Sequence, residues 1–140
     1  MRSKPAAQNI KTQRRRKIGP LTLAQVKEAL KADLVSGKDT LAHEVIMACG
    51  ADLMSDVLAF AKSGSLLLTG LTNAQVIRTA EVAEISAICF VRGKRPSRET
   101  VALAQEKGIP LLCTRLPMYE SCGRLYLVGL GGCSELEEAR

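Results

Sequence analysis

Three short stretches concentrate residue types suited to holding an anion: Thr69-Gly70-Leu71-Thr72-Asn73, Arg92-Gly93-Lys94-Arg95-Pro96-Ser97 and Thr114-Arg115-Leu116-Pro117. Arg92, Lys94, Arg95 and Arg115 supply positive charge. Thr69, Thr72 and Thr114 supply hydroxyls, and Asn73 supplies an amide. Gly70 and Gly93 would let main chain approach a phosphate closely, because neither carries a Cβ. None of the three stretches contains Asp or Glu. The chemistry implied is recognition rather than reaction. His43 is the single histidine, and no acid in these stretches could orient it, so neither a Ser-His-Asp nor a Cys-His arrangement is suggested. The expected anion-binding residues are therefore Thr69, Gly70, Thr72, Asn73, Arg92, Gly93, Lys94, Arg95, Thr114 and Arg115, with no catalytic residue, metal ligand or cofactor. The same residues would serve equally as helix caps, turns and a solvated cationic face, and their spacing alone does not choose.

Two glycine motifs carry less. Around Ser36-Gly37-Lys38-Asp39, a phosphate loop would need its first glycine at position 32, which is Ala32, and a Ser or Thr where Asp39 stands. Gly129-Leu130-Gly131-Gly132 follows a helical stretch rather than a strand, so it reads as a terminator and not as a dinucleotide fingerprint.

The elements around the three loops repeat a simple unit. Thr22 and Gln25 have the spacing of a capping box, with Leu23, Val26 and Leu30 following at helical intervals. After a turn at Ser36–Asp39 comes the β-leaning run Glu44–Cys49. Leu53–Lys62 reads as a helix with Met54, Val57, Leu58 and Ala61 on one stripe. Ser65–Leu68 is a continuous apolar strand, and Thr72 with Gln75 suggests a second capping box before a helix that buries Val76, Ile77, Ala80 and Ala83. Strand Ile85–Val91, helix Ser97–Lys107 and strand Ile109–Cys113 follow. Pro117 opens a last helix with the stripe Met118, Cys122, Leu125 and Tyr126. Continuously apolar strands alternating with helices of about ten residues predict one α/β domain, a parallel or mixed sheet flanked by helices. In such sheets the three loops would meet at the carboxyl ends of the strands, where helix N-termini favour negative charge.

Charge narrows the partners. The net charge of +6 looks like a nucleic-acid signal until it is located. Residues 1–20 hold Arg2, Lys4, Lys11, Arg14, Arg15, Arg16 and Lys17 and no acid, whereas the other 120 residues hold 13 Lys/Arg against 14 Asp/Glu. The organisation expected is a disordered basic arm over 1–20, a folded domain over 21–130 and a flexible acidic tail over 131–140. The arm could give weak, salt-sensitive attachment to nucleic acid. The near-neutral, aromatic-poor domain (Phe60, Phe90, Tyr119, Tyr126, no Trp) offers no base-stacking platform, so nucleic acid is not an expected partner. Five cysteines (Cys49, Cys89, Cys113, Cys122, Cys133) form no Cys-x-x-Cys pair and read as reduced thiols in a cytoplasmic protein. No run reaches the roughly 18 apolar residues of a membrane span.

Ser55-Asp56-Val57-Leu58-Ala59-Phe60-Ala61-Lys62, then Ser65–Asn73 with Val76-Ile77-Arg78-Thr79-Ala80, and Ala87–Pro96 together resemble a stand-alone DRTGG domain over about residues 21–130. The stretch is similar to the N-terminal domain of HPr kinase and to the inserted domain of phosphate acetyltransferases. A related module accompanies CBS domains in some inorganic pyrophosphatases. The resemblance implies an HPr kinase N-terminal-domain-like α/β fold and a regulatory or dimer-forming role. It adds a nucleotide or phosphorylated metabolite as ligand, a homodimer, and a CBS-domain or other regulatory protein as partner. The alternative is a protein-interaction or dimerisation module without a small ligand, using an apolar face of the last helix at Met118, Leu125, Tyr126 and Leu130. One departure stands out: Leu71-Thr72-Asn73 occupies the place where many members have an Asp-Arg pair, so only Gly70 carries over from that loop.

Overall fold

The computed structural model describes residues 18–134; the first 17 residues and the last six, with the expectations placed on them, lie outside the described residues. The chain begins with β1 (Leu21–Thr22), α1 (Leu23–Leu30), β2 (Asp33–Ser36) and a 3₁₀ turn at Lys38–Thr40. Next come β3 (Glu44–Val45), β4 (Met47–Gly50), α2 (Met54–Phe60), β5 (Ser65–Thr69) and α3 (Ala74–Val82). It finishes with β6 (Ala87–Phe90), α4 (Arg98–Lys107), β7 (Leu111–Cys113) and α5 (Met118–Leu127).

Five strands make one mixed sheet in the order β2-β7-β6-β5-β4. The four strands β4 to β7 are parallel, with Ala48 beside Leu66, Leu67 beside Ile88, and Cys89 beside Leu112. β2 lies antiparallel to β7, with Asp33 opposite Cys113 and a register shift between Leu34 and Ser36. β1 and β3 form a separate two-residue antiparallel ladder. Past the helices, Gly132 bridges Ala48 in parallel and the Ala48 N–H donates to the Gly131 carbonyl, so residues after α5 cover the outer edge of β4.

Side-chain alternation along the central strands divides the core in two. Leu66, Leu68, Ala87, Cys89 and Leu112 face α1 and α5, packing with Val26, Leu30 and Leu125. Leu67, Ile88, Phe90, Leu111 and Cys113 face α2, α3 and α4, packing with Val57, Val76, Ile77, Ala80 and Ala104. Every residue of β5, β6 and β7 is buried, which is why these strands are apolar without alternation. Each fully buried Leu, Ile or Phe contributes about 1.5–3 kcal/mol of transfer free energy.

The first capping box forms as expected: the Gln25 N–H donates to Thr22 Oγ1 at 3.1 Å and the Thr22 N–H to Gln25 Oε1 at 2.9 Å. The second does not. Asn73, not Thr72, caps α3, accepting the Gln75 N–H at 3.1 Å. The Asn73 amide oxygen reaches the N–H two residues ahead, and the Thr72 carbonyl accepts from the Thr100 hydroxyl at 3.0 Å. Two further expectations change. The run Glu44–Cys49 is broken at exposed Ile46 into β3 and β4, which pair with different partners. Of the apolar face drawn on the last helix, Leu125 and Leu130 are buried and Met118 packs against the core, leaving Tyr126 exposed.

Candidate functional site

The parallel order brings the three loops to one edge, as the spacing implied. β5 exits at Thr69-Gly70, β6 at Val91-Arg92-Gly93 and β7 at Thr114-Arg115, with the Val91 N–H donating to the Thr69 carbonyl and the Thr114 N–H to the Phe90 carbonyl. Arg92 and Gly93 are consecutive left-handed residues, with φ of 60° and 72°. An arginine there is strained, and the cost is met by two main-chain bonds. The Arg92 N–H donates to the Leu116 carbonyl and the Gly93 N–H to the Thr114 carbonyl, both at 2.9 Å. The β6 and β7 loops are thereby zipped together, and the Arg92 side chain folds back over β5. A Cβ placed on Gly70 would lie 2.5 Å from Arg92 Nη2. A side chain at position 70 would push that guanidinium aside.

Sequence reasoning missed Asp52. It follows β4, and its Oδ1 accepts the Gly70 N–H at 2.7 Å and the Thr69 hydroxyl at 3.2 Å. The signal was present: the rule that loops after strands reach the ligand edge applies to the run ending at Cys49 as well. Asp33, at the start of antiparallel β2, arrives beside Cys113 on the same edge and meets Arg95 Nη1 at 3.6 Å. The edge is therefore not free of carboxylates. The three loops contain none, but topology delivers Asp33 and Asp52 from two others.

The expected residues divide by what they touch. Thr69 and Thr114 are buried and spend their hydroxyls internally. Thr69 Oγ1 donates to Asp52 and accepts the Leu71 N–H; Thr114 Oγ1 donates to the Leu30 carbonyl at 2.6 Å and accepts the Leu116 N–H at 3.2 Å. The main-chain donors of Gly70, Leu71, Arg92, Gly93 and Lys94 are likewise engaged, the last with the Val91 carbonyl. These N–H groups are not free for an anion, because the loops and Asp52 satisfy them. What faces solvent is cationic side chain. Arg92, Lys94 and Arg115 are exposed and form no ion pair among the described residues, while Arg95 and Asp33 make a solvated pair worth little. Asn73 is exposed and Thr72 half-buried at the rim.

Cys113 borders this edge, close to Asp33 and Arg95. Burial pushes the Cys89 thiol up to about 12, with Cys113 nearby adding to it. Cys113 and Cys122 are also raised, chiefly by burial. Cys49 is raised by burial and then by Cys133, Cys122 and Asp56 around it. Among the described residues no group of three His, Cys, Asp or Glu could hold a metal ion, and no helix is long and apolar enough to cross a membrane.

Fold and edge together define a class: a mixed-sheet α/β domain whose strand exits gather Arg92, Lys94, Arg95 and Arg115 at one rim. Residues 25–128 match the model of the DRTGG domain, and the chain belongs to that family. A crystal structure of the CBS and DRTGG domains of the regulatory region of Clostridium perfringens pyrophosphatase, complexed with its activator diadenosine tetraphosphate, is similar at 18% identity with a TM-score of 0.64. The likeness covers 79% of this chain and 47% of that one, so the chain spans about half the length of the solved relative. None of the curated proteins compared with the chain matches it.

Proposed function

We propose that this chain is a non-catalytic regulatory domain that senses a nucleotide or other phosphorylated metabolite at the carboxyl edge of its sheet. The observation that carries the reading is the placement of Arg92 over Gly70, beside the equally unpaired Lys94 and Arg115. Charge-assisted contacts to phosphate oxygens are the chemistry such side chains perform best, and arginine can offer them in pairs. Thr69, Gly93, Thr114 and Asp52 hold the loops in shape; Arg92, Lys94, Arg95 and Arg115, with Thr72 and Asn73 at the rim, make the contacts. Family membership and the nucleotide-bound relative support a regulatory setting, in which this domain acts with a CBS-domain or other regulatory protein. Five free thiols fit a reducing compartment, and we place the protein in the cytoplasm.

The test is calorimetric titration with AMP, ATP and diadenosine tetraphosphate. Saturable binding that weakens in Arg92→Ala and Arg115→Ala supports the reading; no heat at millimolar ligand overturns it.

A second reading, a homodimerisation module, is favoured by a different observation. Leu53, Leu58 and Phe60, at and beside α2, are 61%, 53% and 64% exposed, and Ile46 beside β4 is also exposed. Apolar residues exposed together mark interaction surfaces. Light scattering over a concentration series decides it: a dimer dispersed by Phe60→Lys supports the reading, and a monomer throughout removes it.

A further inference from the structure

A surface cavity lies at the opposite edge, among the segments that lead into the strands. Its volume is about 550 Å³, within the range of small-molecule sites. Its floor is apolar, formed by Leu23, Val45, Ala80, Ile85 and Ile109. Its rim is charged and unbalanced. Glu44, Glu81 and Glu84 face one cation, Lys107, which pairs with Glu81 at 3.2 Å. Glu44 and Glu84 are exposed and have no ion pair among the described residues. The C-terminal turns of α3 and α4 end at this cavity, at Ala80–Glu81 and at Lys107–Gly108, and helix C-termini carry partial negative charge.

We propose that this cavity is a second ligand site, opposite in sign to the carboxyl edge, for a small organic cation with an apolar body. The apolar floor takes the hydrocarbon part, and Glu44 and Glu84 with the two helix C-termini take an ammonium or guanidinium head. His43 also lines this rim. The site uses none of the residues of the carboxyl edge, and it stands or falls independently of the function proposed above.

Agmatine is a suitable probe, with a four-carbon body between two cationic ends. Titrated into the ¹⁵N-labelled full chain, it is expected to shift the amides of Glu81–Ser86 and Lys107–Ile109 saturably. The double variant Glu44→Gln/Glu84→Gln changes only exposed side chains. It should unfold at the wild-type temperature and bind agmatine roughly three- to tenfold more weakly, as expected for two partly exposed charge contacts. Arg92→Ala should bind it unchanged. The proposal is overturned if agmatine does not shift these amides, if the double variant binds as wild type does, or if inorganic phosphate occupies the cavity instead.

Discussion

Replacing Gly70 by alanine separates the fold from the site. Gly70 does not require the left-handed region, so an alanine is accommodated by the backbone. Removing glycine's freedom in the unfolded chain would by itself stabilise by about 0.4–1 kcal/mol. Against this, the new Cβ would lie 2.5 Å from Arg92 Nη2 and 3.3 Å from its Cζ, while 3.4 Å from Asp52 Oδ1 is ordinary contact. The neighbour that must yield is the far end of an exposed, flexible arginine, and no main-chain atom is displaced. The net change should lie between about −0.5 and +1 kcal/mol, a shift in Tm of a few degrees at most. The guanidinium, however, leaves its place over the β5 exit. A charge-assisted contact to phosphate is worth about 1.5–3 kcal/mol when buried; at this open edge about 1 kcal/mol is reasonable, or a fivefold weaker Kd. Thermal unfolding followed by circular dichroism and calorimetric titration with ATP measure the two quantities on one sample. A Tm lowered by more than about 6 °C would show that Gly70 serves a tight main-chain approach instead. An unchanged Kd on an intact fold would show that Arg92 does not hold the ligand.

Three further outcomes follow from the same geometry. Thr114→Val keeps the side-chain shape but strands the Leu30 carbonyl and the Leu116 N–H, so urea unfolding should show a loss of about 1–3 kcal/mol with an unchanged m-value. Cys89, raised to about 12, stays protonated in the fold at pH values where the unfolded chain, with its ordinary thiol near 9, has ionised. Its contribution is complete below pH 9 and is lost as pH rises from 9 towards 12, so the urea midpoint should fall over that window, and less so in Cys89→Ala; at pH 8 iodoacetamide should label Cys89 only after denaturation. Arg95→Ala should change stability by less than about 0.5 kcal/mol, because its pairing with Asp33 is solvated, and a larger loss by thermal melting would contradict that view.

The sequence made the middle of the sheet legible and its margins obscure. β5, β6 and β7 are buried on both faces, so their runs are unbroken and stand out, and the helices between them carry stripes that end at Gly108 or begin after Pro117. β2 was not legible because Asp33-Leu34-Val35-Ser36 is a four-residue margin strand, only part-buried, that gains its identity by pairing with β7 eighty residues on. β1 and β3 are two residues each, and no local pattern specifies so short a ladder. At the site, residue types announced the cations, and the parallel topology placed them. The hydrogen bonding could not be read, since the left-handed turn at Arg92 is held by carbonyls of the next loop and Gly70 is held by an aspartate from the preceding one. Those are tertiary facts, and they convert Thr69 and Thr114 from candidate ligand contacts into supports.

The most direct test of the central claim is an amide-shift titration of the ¹⁵N-labelled chain with ATP, followed by chemical analysis of the nucleotide recovered. A saturable set of shifts confined to Thr69–Asn73, Arg92–Lys94 and Thr114–Leu116, abolished together in Arg92→Ala/Arg115→Ala and leaving the nucleotide intact, is the predicted result. Shifts elsewhere, no shifts at millimolar nucleotide, or a nucleotide consumed in the presence of the protein would contradict it.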